Sequence, residues 1–264
     1  MAFQINNGFS FNGYTYGDKL SGLRDSPSFD IKTSDSSAYD GSNYGRSRLA
    51  KRQLELRGII MAESHDALRT VADAFMLAHS GTYPAKLVCY TDRYLWAQVD
   101  GDISREHSNA RNWPWSVNFL CHDPYYYSVD SNVVNKTAID LGDFNIPRTT
   151  TVTVGGTAFA TPIISFVVDD YATGEAKIEN VTTGEILSFI PTANGTYSYY
   201  AGPNSADTEV ESRQYRFKLI KSTLNFTNLC TEIGDMRLLP GDNTIIISGA
   251  SINAVSFAWR NRFV

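Results

Sequence analysis

Turn signals recur at regular spacing between short apolar segments, and this feature most constrains the fold of the 264-residue chain. In the C-terminal half the signals come about every 8–12 residues, the spacing found in β-sandwiches and barrels. Thr183-Gly184 separates two strand-sized segments, and Asn194-Gly195 precedes the alternating residues 197–200. We find no helical periodicity in this half of the sequence. The pattern predicts an all-β C-terminal domain.

The N-terminal half combines strands with a single predicted helix. Asn12-Gly13 is a strong hairpin signal, and residues 115–121 alternate between apolar and polar side chains. The helix begins after Ser64, which can cap its N-terminus, and runs to about His79. Its apolar residues recur at spacings of three and four, so we expect one face to cover a sheet. The sequence as a whole therefore predicts a mainly β protein.

The segment from about residue 21 to residue 48 shows neither periodicity. Serine, aspartate and glycine dominate it, yet it also contains aromatic residues that would gain by packing on another surface. Basic residues cluster between Arg46 and Arg57 in a chain that is acidic overall. We expect an extended arm at a protein interface, with a solvated strand edge as the alternative interpretation of the cluster. The candidate interface residues are Phe29, Tyr39, Tyr44, Arg46, Arg48 and Arg52.

The composition of the chain limits which classes of molecule it is expected to bind and in which cellular compartment it is expected to be made. A net charge of −5 and a pI of 5.4 are untypical of proteins that bind nucleic acids or anionic membranes. Cys89, Cys121 and Cys230 cannot all pair within the chain and lack metal-ligand spacing, so we expect reduced thiols. The N-terminal residues lack the features of a signal peptide, and the longest apolar stretches are strand-sized. We expect synthesis in a cytoplasm, no membrane contact and no direct recognition of nucleic acid.

The histidines are not arranged for metal binding or acid–base chemistry. His107 follows Glu106 and His122 precedes Asp123, but neighbouring residues of a strand point to opposite faces. No zinc-binding, nucleotide-binding or serine-hydrolase motif occurs in the sequence. We therefore predict no metal-binding and no cofactor-binding residues.

Neither the carboxylates nor the cysteines form a convincing catalytic set. Asp169-Asp170 and Glu185 lie at a strand end and in a turn, where acidic residues are ordinary, although glycoside hydrolysis would need such a pair across a cleft. Cys89 and Cys121 lie in apolar strands without an adjacent cation to activate a thiol. We predict no catalytic residues and no enzymatic activity.

Several sequence segments occur in an order that is more specific than any one of them. In the N-terminal half they are residues 40–45, 52–59, 92–95 and 115–121, the last running into Asp123-Pro124-Tyr125. In the C-terminal half they are residues 160–163, 180–184, 239–243 and 259–263. With these segments in this order, nearly the whole chain resembles the distal tail (Dit) proteins of long-tailed, non-contractile bacteriophages.

The resemblance implies two domains. Residues 1–130 would form a ring-forming β-barrel or sandwich domain related to tail-tube proteins, with one helix and the arm at about 21–48. Residues 131–254 would form a galectin-like β-sandwich. The last strand, residues 255–264, would pair within the fold, either in the sandwich or packed back on the first domain.

The resemblance also implies a structural role at the tail tip or baseplate of a virion. A homohexameric ring would join the tail tube protein to the tail hub, or tail-associated protein. Tail fibres or receptor-binding proteins would attach to this ring. The protein would be made in the host cytoplasm, and no cofactor is implied.

A carbohydrate-binding module that attaches to the host cell wall is the alternative function. The predicted sandwich and the tyrosine-rich residues 125–127 and 197–200 favour it. Galectins bind sugars with a histidine, asparagine, arginine and tryptophan set, whereas residues 131–264 contain no histidine and a single tryptophan, Trp259. A wall-degrading hydrolase is a third hypothesis, and isolated carboxylates are its only support.

Overall fold

The protein is mainly β, with 61% strand and one helix in the described part of the chain, which confirms the predicted fold class. The computed structural model describes residues 9–16, 20–35, 42–105, 111–137, 144, 146–171, 174–201, 218–221, 224–225, 227, 230–249 and 252–264. For 29–35, 42–48, 105, 218 and 224–225 it describes the backbone. The chain divides between Tyr126 and Tyr127 into two compact units.

The first unit is built on antiparallel strands. They are β1 (Ser10–Phe11), β2 (Tyr14–Thr15), β3 (Leu20–Asp35), β4 (Ser42–Met61), β5 (Ala85–Tyr90), β6 (Arg93–Val99), β7 (Ser104–Arg105) and β8 (Asn112–Cys121), and β9 (Tyr126–Ser128) begins at the unit boundary. The strand order is β2-β1-β5-β6-β8-β4-β3, with β7 beside β8. Asn12 and Gly13 join β1 to β2 with φ angles of 47° and 81°, the positive pair of a type I′ turn, so the predicted hairpin is confirmed.

The helix α1 (His65–His79) confirms the predicted helix. Ser64 caps it by accepting a hydrogen bond from the Ala67 amide at 3.2 Å, and Asp66 lies in the first turn, where a negative charge favours the helix dipole. The buried Phe75 ring lies 4.9 Å from the Trp115 ring of β8. The helix therefore covers the apolar face of the sheet at β8.

His79, the last residue of α1, lies in the core. It is 3% exposed, and its Nδ1 lies 2.6 Å from the Phe75 carbonyl oxygen. Because a carbonyl oxygen only accepts, Nδ1 carries the proton of the neutral ring, and the Tyr16 hydroxyl donates to Nε2 at 2.7 Å. Burial lowers the pKa of His79 below its ordinary value. The side chain is thus a neutral hydrogen-bonded link between α1 and the segment after β2.

The sequence shows no periodicity between about residue 21 and residue 48, yet the described part of this segment belongs to β3 and β4, which form a long β-hairpin. β3 and β4 pair antiparallel from Leu20↔Gly58 to Asp35↔Ser42. Backbone pairing needs no alternating apolar face where a strand lies outside a core, so a serine-rich sequence can adopt it. Register shifts at Leu20/Gly22, Pro27/Phe29 and Ile31/Thr33 also interrupt the two-residue period. Both effects remove the pattern by which strands are predicted.

The second unit contains two antiparallel sheets. Its strands are β10 (Asn132–Thr137), β11 (Arg148–Val154), β12 (Ile163–Val168), β13 (Ala176–Asn180), β14 (Glu185–Phe189), β15 (Gly195–Tyr200), β16 (Lys218–Lys221), β17 (Leu224–Asn225), β18 (Cys230–Ile233), β19 (Gly241–Ser248), β20 (Ile252–Trp259) and β21 (Arg262–Phe263). One sheet has the order β10-β20-β12-β15-β16-β17 and the other β11-β19-β13-β14-β18.

The core of the second unit lies between these two sheets. Phe166 of β12 and Phe189 of β14 are fully buried, with ring centres 5.0 Å apart, and they join the sheets across the core. Ile178 and Ile247 of the second sheet are also unexposed. The unit is therefore a β-sandwich, as predicted.

The strand β20 lies in the interior of the first of these sheets, between β10 and β12. Val255, Phe257 and Trp259 are buried in the core, whereas Ser256 and Ala258 alternate with them on the outer face. Residues 255–259 therefore pair within the sandwich.

Candidate assembly surface

Among the described strands, residues 52–58 of β4 have a partner on both sides. β8 pairs with β4 from Arg52 to Met61, whereas β3 continues to pair with it as far as Ser42. Among the described strands, β3 is therefore the sole partner of residues 42–51. These residues and the opposite residues 28–35 form a two-stranded extension of the sheet, which we call the ribbon.

A partly buried ionic cluster holds the base of the ribbon. Arg52 Nη1 donates to Asp25 Oδ2 at 2.9 Å, and the Tyr126 hydroxyl donates to the same oxygen at 2.8 Å. The Arg52 guanidinium also lies 4.5 Å from the centre of the Tyr126 ring, in range of a cation–π interaction. Arg52, Asp25 and Tyr126, which we call the anchor cluster, connect both strands of the hairpin to the end of the first unit.

Asp25 is the acidic partner of the buried Arg52 in the anchor cluster. The Arg52 side chain is 3% exposed, and its Nε has no hydrogen-bond partner among the described atoms, so Asp25 supplies the counter-charge. Burial raises the pKa of Tyr126, and the nearby Cys89 thiol and Asp25 carboxylate raise it further. Tyr126 is therefore a hydrogen-bond donor at any physiological pH. Burial likewise raises the pKa of Cys89, which leaves this thiol protonated and unreactive.

The candidate interface residues lie in the two strands of the hairpin, except for Tyr39, which falls outside the described residues. Phe29 lies opposite Leu49 and Tyr44 opposite Thr33. Arg48 lies opposite Asp30, and Arg46 belongs to the same stretch of β4. The register therefore brings Phe29, Tyr44, Arg46 and Arg48 together in the ribbon.

The candidate interface residue Arg52 is buried, with 3% of its side chain exposed. Its acidic partner is Asp25 of the same chain. The Arg52 side chain points inward because side chains alternate along β4, where the even-numbered Arg52, Leu54 and Leu56 all face the interior. Arg52 thus faces the interior and pairs with Asp25 at the base of the ribbon.

Sequence analysis missed Asp25 and Tyr126, which complete the anchor cluster. Their hydrogen bond joins residues 101 positions apart in the chain. No local pattern marks such a pair, and Tyr126 was grouped with its tyrosine neighbours. The basic cluster was the only available signal, since an arginine at a buried strand position requires a partner.

An open groove of about 390 Å³ lies on the outer side of β3, β4 and β8. Its polar lining combines both charges and amides: Arg24, Ser26, Gln53, Glu55, Asp100 and Asn118. Arg57 Nη2 lies 2.6 Å from Glu55 Oε1 and forms a salt bridge with this carboxylate. The groove therefore presents a polar surface that carries both signs of charge.

The residues considered for catalysis have structural partners. The Asp169 carboxylate accepts from Asn253 Nδ2 at 2.6 Å, and Glu185 accepts from the Arg237 amide at 2.6 Å and the Thr183 hydroxyl at 3.1 Å. His107 lies outside the described residues. Within the described ranges there is no cluster of three potential metal ligands. In that same part of the chain, no helix has the length and apolar character needed to cross a bilayer.

The tyrosine runs that favoured carbohydrate binding are largely buried. Tyr126 is 4% exposed, and Tyr127, Tyr197 and Tyr199 are unexposed. Trp259 is also buried, and its Nε1 donates to Asn261 Oδ1 at 3.2 Å. These rings are not available as stacking platforms for a sugar.

Structural comparison finds the same arrangement in a phage protein. The Dit protein (gp 19.1) of phage SPP1 superposes with a TM-score of 0.72 over 97% of this chain and 98% of its own, at 13% sequence identity. The fold is that of a phage distal tail protein. The SPP1 Dit protein has been described as a paradigm of the hub adsorption apparatus in phages that infect Gram-positive bacteria.

The Dit fold extends over both units, because the superposition includes almost every residue of the two chains. A chain of the phage p2 baseplate, in its activated conformation with Sr, also aligns, with a TM-score of 0.51, 11% identity and 95% coverage of each chain. No protein-family model matches the sequence, and no match to a curated protein was found. Comparison of structures therefore detects a similarity that comparison of sequences does not.

Proposed function

We propose that this protein is a non-enzymatic structural adaptor at the tail tip or baseplate of a phage. In this proposal a homohexameric ring joins the tail tube protein to the tail hub, and fibres or receptor-binding proteins attach to the ring. The observation that carries the proposal is the full-length likeness to the SPP1 Dit protein, which includes both units. A single shared domain would support a fold class but not a common assembly.

The ribbon supports a contact between copies of the chain. A two-stranded hairpin is marginally stable in water unless a face of it packs on another surface. The ribbon carries apolar residues at Phe29, Ile31, Tyr44 and Leu49, and β8 does not extend beside it. A neighbouring copy in a ring would supply the missing surface through a head-to-tail contact.

The experiment measures the mass of the assembly with and without the ribbon. Native mass spectrometry and negative-stain microscopy of the full chain should give hexameric rings. A variant with residues 30–48 replaced by Asn-Gly keeps the Phe29↔Leu49 pair and the anchor cluster, so it should fold and remain monomeric. Monomers of the full-length protein at all concentrations would contradict the ring, and hexamers of the shortened variant would contradict the role of the ribbon.

A destabilised variant with an intact ribbon is the matched control. Phe257→Ala lies in the core of the second unit and leaves residues 28–51 unchanged. It should still form hexamers at a temperature where it is folded. Loss of the ring in both variants would mean that instability, and not the missing ribbon, prevents assembly.

A further inference from the structure

Two asparagine–glycine pairs lie in turns that the structure describes. Asn12-Gly13 joins β1 to β2, and Asn194-Gly195 leads into β15. In such a pair the backbone amide of glycine can attack the side-chain amide of asparagine, because glycine has no side chain to hinder the approach. A third pair, Asn7-Gly8, lies outside the described residues. The two described pairs share this chemistry but differ in their surroundings.

Deamidation of such a pair needs only water. The deprotonated glycine nitrogen forms a bond to Cγ of asparagine, the Cγ–Nδ2 bond breaks, and ammonia leaves a five-membered succinimide. Water then adds to either carbonyl of the ring and opens it, which gives aspartate or isoaspartate. The net change is one water consumed and one ammonia released. The glycine amide must therefore be accessible to hydroxide and free to approach Cγ.

The Gly13 amide is accessible in the folded protein. The Tyr16 amide donates to the Phe9 carbonyl at 2.9 Å, so by alternation Phe11 and Tyr14 form the hydrogen-bonded pair that closes the turn. The amide of the second turn residue then points to solvent. Gly13 is exposed, with a φ of 81°, and the space where a side chain would lie is open. The nucleophile of this pair is thus available.

The Gly195 amide, in contrast, is held in a sheet. The Ala201 amide donates to the Pro162 carbonyl at 3.1 Å, which identifies a hydrogen-bonded position of the β12–β15 ladder. Such positions recur at every second residue, and Gly195 lies six residues before Ala201, opposite Val168. The Gly195 amide therefore donates to the Val168 carbonyl. An amide in a ladder can react only after the end of the strand opens.

Contacts around Asn194 add to this protection. Its Oδ1 accepts a hydrogen bond from the Tyr171 amide at 3.1 Å, and its backbone carbonyl accepts one from Lys221 Nζ. The lysine chain packs so closely on Gly195 that a β-carbon there would lie 3.1 Å from Lys221 Cε. Both the side chain and the backbone of this pair are thus restrained.

We propose that Asn12 is a site of spontaneous deamidation and that folding protects Asn194 from the same reaction. Asn12 Nδ2 donates to the Ala78 carbonyl oxygen at 3.1 Å, near the C-terminal end of α1. Deamidation replaces this donor by a carboxylate, which faces a carbonyl at the negative end of the helix dipole. Isoaspartate also lengthens the backbone of the turn and disturbs the pairing of the buried Phe11. Each product therefore weakens the contact between the β1–β2 hairpin and α1.

The test incubates the full-length protein in mildly alkaline buffer and locates the products by tandem mass spectrometry of tryptic peptides. Fragment ions distinguish Asn12 from Asn7. We expect Asn12 to convert at least about tenfold faster than Asn194, because opening of the ladder limits the second reaction. Conversion of Asn12 that is no faster than that of Asn194 would overturn the proposal.

The same incubation in guanidinium chloride is the control for sequence effects. Neither pair is folded there, so the rates at Asn12 and Asn194 should agree within about threefold. A tenfold difference that persists in the denaturant would assign it to the neighbouring residues in the sequence, and it would overturn the protection of Asn194 by the fold.

The product of each reaction can also be introduced directly, as Asn12→Asp and Asn194→Asp. Asn12→Asp should lower the melting temperature, and added salt should reduce the loss, because a charge is placed at the end of α1. Asn194→Asp is the matched control, since its carboxylate still accepts from the Tyr171 amide and lies beside Lys221. It should melt as the unchanged protein does. An Asn12→Asp variant as stable as Asn194→Asp would contradict the predicted effect on α1.

Discussion

Arg52 illustrates how one side chain can determine the direction of a larger element. It is buried at the position where β4 leaves the sheet, and its charge is balanced by Asp25 on the opposite strand. Removing one partner of a buried ion pair costs more than the pair contributes, because the other charge is left uncompensated. The ribbon thus starts from a fixed base.

Asp25→Ala should destabilise the protein by about 3 kcal/mol, because Arg52 keeps its buried charge without a counter-ion. Tyr126→Phe removes only the hydroxyl that donates to Asp25, and it should cost about 1 kcal/mol. Urea unfolding of both variants, followed by tryptophan fluorescence, measures the difference. Equal losses would show that the charge of Arg52 is satisfied in another way.

His79 should make the free energy of unfolding depend on pH. Burial lowers its pKa in the folded state, whereas an unfolded chain has a histidine pKa of about 6.5. Between the two values the unfolded state binds more protons, so stability is lost as the pH falls below about 6.5 towards the folded pKa.

Thermal unfolding of the protein and of His79→Gln at about pH 7.5 and pH 5.5 tests this dependence. The melting temperature of the unchanged protein should fall more steeply on acidification, because glutamine does not titrate. Parallel decreases would assign the pH dependence to carboxylates instead of His79.

At the scale of elements, β20 provides neighbouring residues with opposite environments. Phe257 is unexposed in the sandwich core, whereas Ser256 lies on the outer face of the same strand. Phe257→Ala should cost about 3–5 kcal/mol and Ser256→Ala less than about 0.5 kcal/mol. Chemical denaturation distinguishes them, and similar values would mean that β20 is not in the core.

Elements marked by local signals could be predicted from the sequence, and those formed by distant pairing could not. The Ser64 cap, the Asn12-Gly13 turn and the alternation in residues 115–121 each indicate structure within a few residues. The β3–β4 hairpin depends on pairing across the chain and on irregular registers, so its sequence resembled a loop. The anchor cluster was hidden for the same reason, because Arg52 was visible as a cation but its partners were not.

At the scale of the whole molecule, the second unit has the means to fold alone. Its buried core, from Phe144 to Trp259, consists entirely of residues of that unit. A fragment of residues 127–264 should therefore show a single cooperative thermal transition by circular dichroism and sharp methyl signals by NMR. A fragment with secondary structure but no cooperative transition would show that its packing depends on the first unit.

The length of the ribbon has a consequence for the speed of assembly. At about 3.3 Å per residue, residues 42–51 extend for about 30 Å along the strand. An element of this length increases the range of separations and orientations at which two diffusing copies can make their first contact. Its basic residues would make that first contact faster at low ionic strength. In the proposed ring, shortening the ribbon would therefore slow subunit encounter, and the rate would become less sensitive to salt.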